Sequence, residues 1–328
     1  MTKYAVIGSN SFSGSSFVNH LCKKGHEVLG VSRSTELHPV FLPYKHQTHE
    51  NFKFQQLDLN QNLKGITSAL ADFRPDFVVN FAAQGMVAES WETPGDWFQT
   101  NTVATVKLHD ELRKFDWLKR YVHISTPEVY GSCKGLINES HPFNPSTPYA
   151  VSRAAADMSL LSFIKAYNFP VVFTRAANVY GEHQQLYRII PRTILYFLTN
   201  KRLQLHGGGT SIRSFIHIDD VCEGTQRAAE QGRTGEVFHL ATPQNISIRM
   251  LVELIAERIG VDFEEHVEIS GERLGKDAAY LLDCALAKER LQWEPKISLK
   301  EGLQNTTQWV KDNLNELIGS PQDYIHKP

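Results

Sequence analysis

The sequence predicts an α/β fold: a doubly wound parallel sheet with a smaller C-terminal α/β lobe. Three observations lead there. Short apolar runs alternate with helical stretches through the first two-thirds of the 328 residues, the pattern of a parallel sheet covered on both faces. The first run leads directly into a turn of small residues and then a helix. The last third breaks the alternation into shorter elements.

Taken in order, residues 3–7 form the first strand, and residues 15–24 a helix with Phe17, Val18 and Leu21 on one face. Residues 27–31 and 52–57 are the second and third strands. Residues 77–81 are the fourth, followed by a long helix over 97–115. Residues 121–124 and 171–173 complete six strands. The last third carries a Gly207-Gly208-Gly209 turn, a helix over 248–259 and an amphipathic helix over 299–314. The expected division is a dinucleotide-binding unit over 1–178, rejoined by about 212–242, and a substrate lobe from 179–211 and 243–328.

Composition narrows the function. Hydrophobic residues make up 41% and charged residues 21%, enough for a full core. A formal charge of −2 offers no basic face for nucleic acid. Cys22, Cys133, Cys222 and Cys284 are spread without a CxxC pair, as expected of thiols in a reducing compartment. The opening MTKYAVIG enters a strand without a signal-type apolar region, and no apolar run is long enough to span a bilayer. The expectation is a cytoplasmic protein with no membrane or nucleic-acid partner. The histidines show no HExxH spacing, so no metal is expected. His38, His46 and His49 read as solvated residues of a polar loop.

The turn after the first strand is Gly8-Ser9-Asn10-Ser11-Phe12-Ser13-Gly14. Such a turn must let a pyrophosphate approach backbone N–H groups and aim a helix N-terminus at it. Gly8 and Gly14 supply the outer small positions; Ser11 stands where a central glycine is expected, with Phe12 and Ser13 opening the helix. Its place between the first strand and a helix makes a Rossmann-type dinucleotide-binding loop the expectation, with an ordinary strand-to-helix turn as the alternative. An acid at the end of the second strand would bond the ribose hydroxyls of NAD. Ser32-Arg33 stand there instead, which favours the 2′-phosphate of NADP over NAD. Asp58 and Leu59, after the third strand, are placed to meet the adenine.

The fifth strand runs into Ser125-Thr126-Pro127-Glu128, and Pro148-Tyr149-Ala150-Val151-Ser152-Arg153 follows. On a helix Tyr149 and Arg153 share a face. A cation beside the phenol favours phenolate, so the Tyr149 pKa is expected to fall and the group to serve as a base. Thr126 can hydrogen-bond the same substrate hydroxyl.

These residues resemble the extended short-chain dehydrogenase/reductases, and within them the NDP-sugar 4,6-dehydratases and epimerases. The likeness runs through Asn80-Phe81-Ala82-Ala83-Gln84, Ser90, Pro94 and Asn101. It continues in Ser125 to Gly131, Tyr149, Arg175 to Gly181, Arg213 to Asp220, and Glu272 to Asp277. The resemblance implies a tightly bound, recycled NADP or NAD, held by the first loop, residues 81–84, Asn101, Tyr149 and Arg153. It implies that Tyr149 takes the sugar 4-hydroxyl proton while C4 yields hydride, Thr126 and Ser125 assist, and Glu128 removes the C5 proton. Gln84, Asn178, Arg188, Arg213 and Arg273 match substrate positions, the arginines suiting a diphosphate.

Two residues depart from the family pattern. Arg153 replaces a lysine, and Pro127 stands where relatives carry an aspartate or serine able to protonate the leaving hydroxyl. The leading expectation is a 4,6-dehydratase, a lyase. A 4-epimerase, a nucleotide-sugar decarboxylase and a non-catalytic nucleotide-sugar or NADP-binding module are the alternatives. A homodimer through the helices around 97–115 and 149–167 is also implied.

Overall fold

A computed structural model of the chain describes residues 1–271 and 281–327. Its centre is a seven-stranded parallel sheet. The strands are β1 (Lys3–Ile7), β2 (Glu27–Ser32), β3 (Phe52–Gln56), β4 (Phe77–Asn80) and β5 (Arg120–Ile124). After a short β6 (Leu136–Ile137), which lies outside this sheet, come β7 (Val171–Ala176) and, later, β11 (Val237–Leu240). The order β11-β7-β5-β4-β1-β2-β3 reverses direction of growth between β1 and β4, which places a crevice beyond their carboxyl ends.

Alternation along β1 shows why the strands read as unbroken apolar runs. Tyr4 and Val6 enter one core layer with Phe17 and Leu21 of α1 (Phe12–Lys23). Ala5 and Ile7 enter the other, with Leu70 of α2 (Leu63–Phe73). Leu108 and Leu112 join that second layer. Both faces are buried, so both sets are apolar.

The helix expected over 97–115 is three pieces: α3 (Pro94–Phe98), a π-helical turn over Gln99–Ala104, and α4 (Thr105–Leu112). π-turns insert an extra residue and re-aim side chains; here the turn contains Asn101. α5 (Pro148–Tyr167) starts where Thr147 accepts a hydrogen bond from the Ala150 N–H at 3.1 Å and Pro148 takes the first helical position.

The seventh strand, β11, was not among the six expected. After β7 the chain builds β8 (Asn178–Tyr180), α6 (Ile189–Leu198), β9 (Leu203–His206) and β10 (Ile212–His217). It then returns through α7 (Ile218–Gln231) to β11. β12 (Asn245–Ser247) joins β10 and β8 in a second sheet. α8 (Ile248–Ile259), α9 (Phe263–His266), β13 (Val267–Ser270), β14 (Leu281–Leu282), α10 (Ala285–Leu291), α11 (Leu299–Asp312) and α12 (Leu314–Ile318) follow. Leu251, Val252 and Ile255 of α8 share a core with Ile190 and Ile194 of α6 and Leu303 of α11. Residues 35–50 are not a solvated loop throughout: Val40, Phe41, Leu42 and Tyr44 are buried and His49 is half-buried, while His38 and His46 face solvent. Among the described residues no helix is long and apolar enough to cross a membrane.

Asp220, near the start of α7, ties α7 to the segment after α10. Its carboxylate accepts the backbone N–H groups of Lys296 and Ile297, each at 3.0 Å, and its carbonyl accepts Trp293 Nε1–H at 2.9 Å. Asp220→Ala would leave those two amides unpartnered. We expect a loss of roughly 2–4 kcal/mol, read as a lower urea midpoint at unchanged slope.

Candidate active site

The first loop is closed by its own hydrogen bonds. Gly8 N–H donates to the Val31 carbonyl at 2.7 Å, and Ser11 N–H to the Gly8 carbonyl at 3.0 Å. Ser11 Oγ donates to the Gly8 carbonyl at 2.8 Å and accepts the Gly14 N–H at 3.0 Å. Ser11 is therefore the N-cap of α1, which explains a serine where a glycine was expected. Gly8 has φ +85°, and a Cβ there would lie 2.5 Å from the Ala82 nitrogen. A Cβ on Gly14 would overlap the Gly8 carbonyl oxygen. Ser9 Oγ is buried without a hydrogen-bond partner. A glycine cradle at the N-terminus of a twelve-residue helix fits a dinucleotide pyrophosphate.

The cavity at this loop is lined by Gly8, Asn10 and Ser11, then by Ser32 and Arg33 after β2. Asp58, Leu59 and residues 81–84 complete it. Most expected cofactor residues therefore converge. Ser32 contributes differently from the expectation: its hydroxyl accepts the Asn10 N–H at 2.9 Å and so braces the loop. Asn10 in turn donates to the Ser34 and Thr35 carbonyls, each at 3.0 Å. Phe12 points into the core instead, packed with Phe17 and Val18. Ser13 is half-buried in the first turn of α1.

The loop after β4 is pinned at several points. Asn101 accepts the Gln84 N–H at 2.8 Å, and its amide donates to the Gln84 carbonyl and to Ser152 Oγ, each at 3.0 Å. Trp97 Nε1–H donates to the Gly85 carbonyl at 2.8 Å. Met86 adopts φ +67°, a left-handed conformation that a non-glycine residue holds only when its surroundings impose it. Ser90 Oγ accepts the Tyr149 N–H at 3.2 Å and donates to the Val87 carbonyl at 2.6 Å. The side chains of Asn101 and Ser90 thus position the loop and α5 relative to each other.

Thr126, Glu128 and Tyr149 meet at the end of β5. Thr126 caps a short turn, its Oγ1 accepting the Glu128 N–H at 3.3 Å, and its side chain lies beside the Tyr149 phenol, where it favours the ionised form. Glu128 lies close enough to Tyr149 to act on its ionisation. The expected fall in the Tyr149 pKa is overturned. Burial pushes it up, and the lowering effects of Arg153 and Thr126 do not compensate.

Arg153 is 2% exposed and reaches inward. Its guanidinium donates to the Ile124 carbonyl and lies 3.4 Å from His123 Nε2, while its Nε is buried without a partner. Ser125, expected among the catalytic groups, donates its hydroxyl to Asp157 Oδ2 at 2.7 Å. Arg175 Nη2 donates to the same oxygen at 2.8 Å, and His123 Nε2 lies 3.3 Å from the other. Burial works against the Asp157 charge, but Arg175 and His123 outweigh it and hold the carboxyl well below its usual range. Sequence reasoning missed Asp157, His123 and Trp97. The spacing of Asp157 one helical turn after Arg153 was the available signal.

On the substrate side, Asn178 and Arg213 occupy the paired strands β8 and β10, with Asn178 Nδ2 donating to the Ser214 carbonyl at 3.2 Å. Arg213 is half-buried, and its Nη1 donates to the Ile212 carbonyl at 2.8 Å. Arg188 immediately precedes α6, and its guanidinium lies 3.8 Å from where a Gly85 Cβ would stand. Gln84 Nε2 donates to the Lys327 carbonyl. Arg273 lies outside the described residues.

Gly14→Val is expected to abolish dinucleotide binding and to cost roughly 1–3 kcal/mol through overpacking against the Gly8 carbonyl. Calorimetric titration with NADP and NAD, beside urea unfolding, reads both effects.

Comparison with known proteins agrees with this geometry. The dTDP-glucose 4,6-dehydratase of Streptomyces antibioticus is 32% identical over 317 residues, covering 94% of this chain and 92% of that protein. The enzyme of the same name from Neisseria meningitidis serogroup B is 30% identical, over 95% and 94%. Among solved structures, the dTDP-glucose 4,6-dehydratase of Streptomyces venezuelae with NAD bound superimposes with a TM-score of 0.89 at 29% identity, covering 96% of this chain and 98% of that one. The UDP-glucose 4-epimerase of Thermotoga maritima with UDP-glucose gives 0.87 at 27%, over 95% and 100%. The family model described as GDP-mannose 4,6 dehydratase matches residues 6–306, and this chain belongs to that family, with the extended short-chain dehydrogenase/reductase fold.

Proposed function

We propose that the protein is a nucleotide-sugar 4,6-dehydratase. The observation that carries this reading is Glu128, set two residues beyond Thr126 and near enough to Tyr149 for its charge to act on the phenol. A 4-epimerase needs the phenol and the cofactor but no second base.

A bound nicotinamide supplies the acceptor for hydride from sugar C4 and the donor that returns it to C6. Tyr149, beside Thr126, takes the O4 proton as the C4 carbonyl forms. That carbonyl acidifies C5–H, and Glu128 takes the proton. The C5–C6 double bond forms as the C6–O bond breaks. Pro127 has no proton to give, so protonated Glu128 supplies it and the hydroxyl leaves as water. The proton taken by Tyr149 is balanced by one delivered to C5 through solvent. Asn178, Arg188, Arg213 and Arg273 are assigned to the nucleotide-sugar side of the cleft, and Gln84 to its sugar end.

Arg33, in place of an acid after β2, supports NADP as the cofactor, although the cited Streptomyces venezuelae neighbour holds NAD. The unit 1–178 with about 212–242 is assigned to the dinucleotide, and the remainder to the substrate. Val103, Val151, Met158, Leu161 and Tyr167 are exposed around the π-turn and along α5, and support pairing of two copies there. The spread, free cysteines support a cytoplasmic setting.

The test is incubation with dTDP-glucose, UDP-glucose, GDP-mannose and CDP-glucose, with products followed by mass. Loss of water from one of them is expected; a new isomer of unchanged mass would indicate an epimerase. Glu128→Gln should stop water loss by at least about a hundredfold, the size of a general-base contribution, while deuterium at sugar C4 still reaches the cofactor. Normal dehydration by that variant removes Glu128 from the mechanism.

The raised Tyr149 pKa also sets a pH dependence. The base form is the phenolate, so kcat/KM should climb as pH rises through neutrality. Arg153 opposes the rise in pKa, so Arg153→Met should move that climbing limb to higher pH. Each unit of displacement lowers the rate at pH 7 about tenfold. A pH–rate profile of both proteins checks it.

A further inference from the structure

Residues 320–327 leave α12 and cross to the loops beyond β4. Arg192 of α6 donates to the Gln322 carbonyl and pairs with Asp323 at 2.8 Å. Tyr324 packs edge-on against Tyr187, ring centroids 5.4 Å apart, and lies near enough to Arg33 and Arg188 for both to act on its ionisation. The His326 ring stacks on Trp97 at 4.9 Å and 10°, and its Nε2 meets Asp96 Oδ2 at 2.7 Å. The Lys327 carbonyl takes the amide proton of Gln84.

We propose that residues 320–327 are a strap across the mouth of the nucleotide-sugar cleft, competing with the sugar nucleotide for Gln84 and lifting off when it enters. The proposal rests on the assignment of that cleft given above. Gln84 is 3% exposed and its backbone is fixed on both sides by Asn101. The Lys327 carbonyl occupies one donor of its side-chain amide, so a substrate group that takes that donor must displace the carbonyl. Arg188 lies close to Gly85, one residue from Gln84, and near enough to Tyr324 for its charge to act on that phenol. The strap has no regular secondary structure, and Ile325 is 64% exposed. Its hold comes from a few polar contacts and two ring contacts rather than a packed core, which places it among the segments that detach most easily.

The experiment compares the full chain, a chain ending at Gly319, and His326→Ala. Each is titrated calorimetrically with dTDP, UDP, GDP and CDP, and with NADP and NAD. Hydrogen exchange is followed in peptides spanning residues 84–88. Without the strap, exchange there should speed up several-fold. The nucleoside diphosphate that binds the full chain should bind about 3–10-fold tighter, the equivalent of roughly one released hydrogen bond. Cofactor affinity should change less than nucleotide affinity, because Gln84 is one of many groups lining the dinucleotide cavity, and His326→Ala should fall between the other two proteins. Unchanged exchange would overturn the strap whatever the ligand. Equal or weaker nucleotide affinity on truncation would overturn the competition, because the segment would then be neutral or part of the site. Faster exchange with no nucleotide bound by any of the three proteins would support the docked strap while removing the nucleotide-sugar reading of the cleft.

Discussion

The fold of the catalytic end depends on one buried carboxylate. Asp157 sits on α5 inside the protein, 1% exposed, and is charged there because Arg175 on β7, Ser125 after β5 and His123 on β5 all face it. A buried charge without partners would cost several kcal/mol, and breaking such a pair costs about 3–5 kcal/mol. Its three elements therefore keep one relative placement. Their ends carry Thr126 and Glu128 beyond β5, Tyr149 at the start of α5 and Asn178 beyond β7. Arg153 packs beside the same group, its guanidinium on the Ile124 carbonyl. The arginine that seemed a departure in the sequence is part of this buried set.

Around it, the site is held by side chains that bond to backbone. Asn101 fixes Gln84, Trp97 fixes Gly85, Ser90 joins the loop to α5, and Asn10 joins the first loop to the end of β2. Such contacts set geometry without adding titratable groups to the cleft. Electrostatic control then falls to Arg153, Glu128 and Arg188 acting on one phenol whose burial opposes its ionisation.

Much of this was legible in the residues. Strand alternation gave the sheet because burial on both faces leaves an unbroken apolar run. The Tyr149–Arg153 spacing placed a phenol and a cation on one helix. Other features depend on contacts that no local pattern encodes. The direction of the Tyr149 shift is decided by burial, which spacing does not report. β11 contains His239, a polar residue buried against Tyr130 at 2.8 Å, so its run looked too mixed for a central strand. The π-turn around Asn101 adds one residue to a helix whose apolar period otherwise continues. The roles of Ser125 and Ser32 are set by the partners their hydroxyls find across the sheet.

The two sheets are stitched by the chain more than once. β7 passes to β8 through Ala177 alone, β10 runs straight into α7, and β11 leads on to β12. A body sewn along several seams cannot swing open about a single pivot, as proteins joined by one or two hinge residues do. Accommodation of a bulky ligand must therefore fall to peripheral segments, and the crevice floor should keep its shape whether empty or filled.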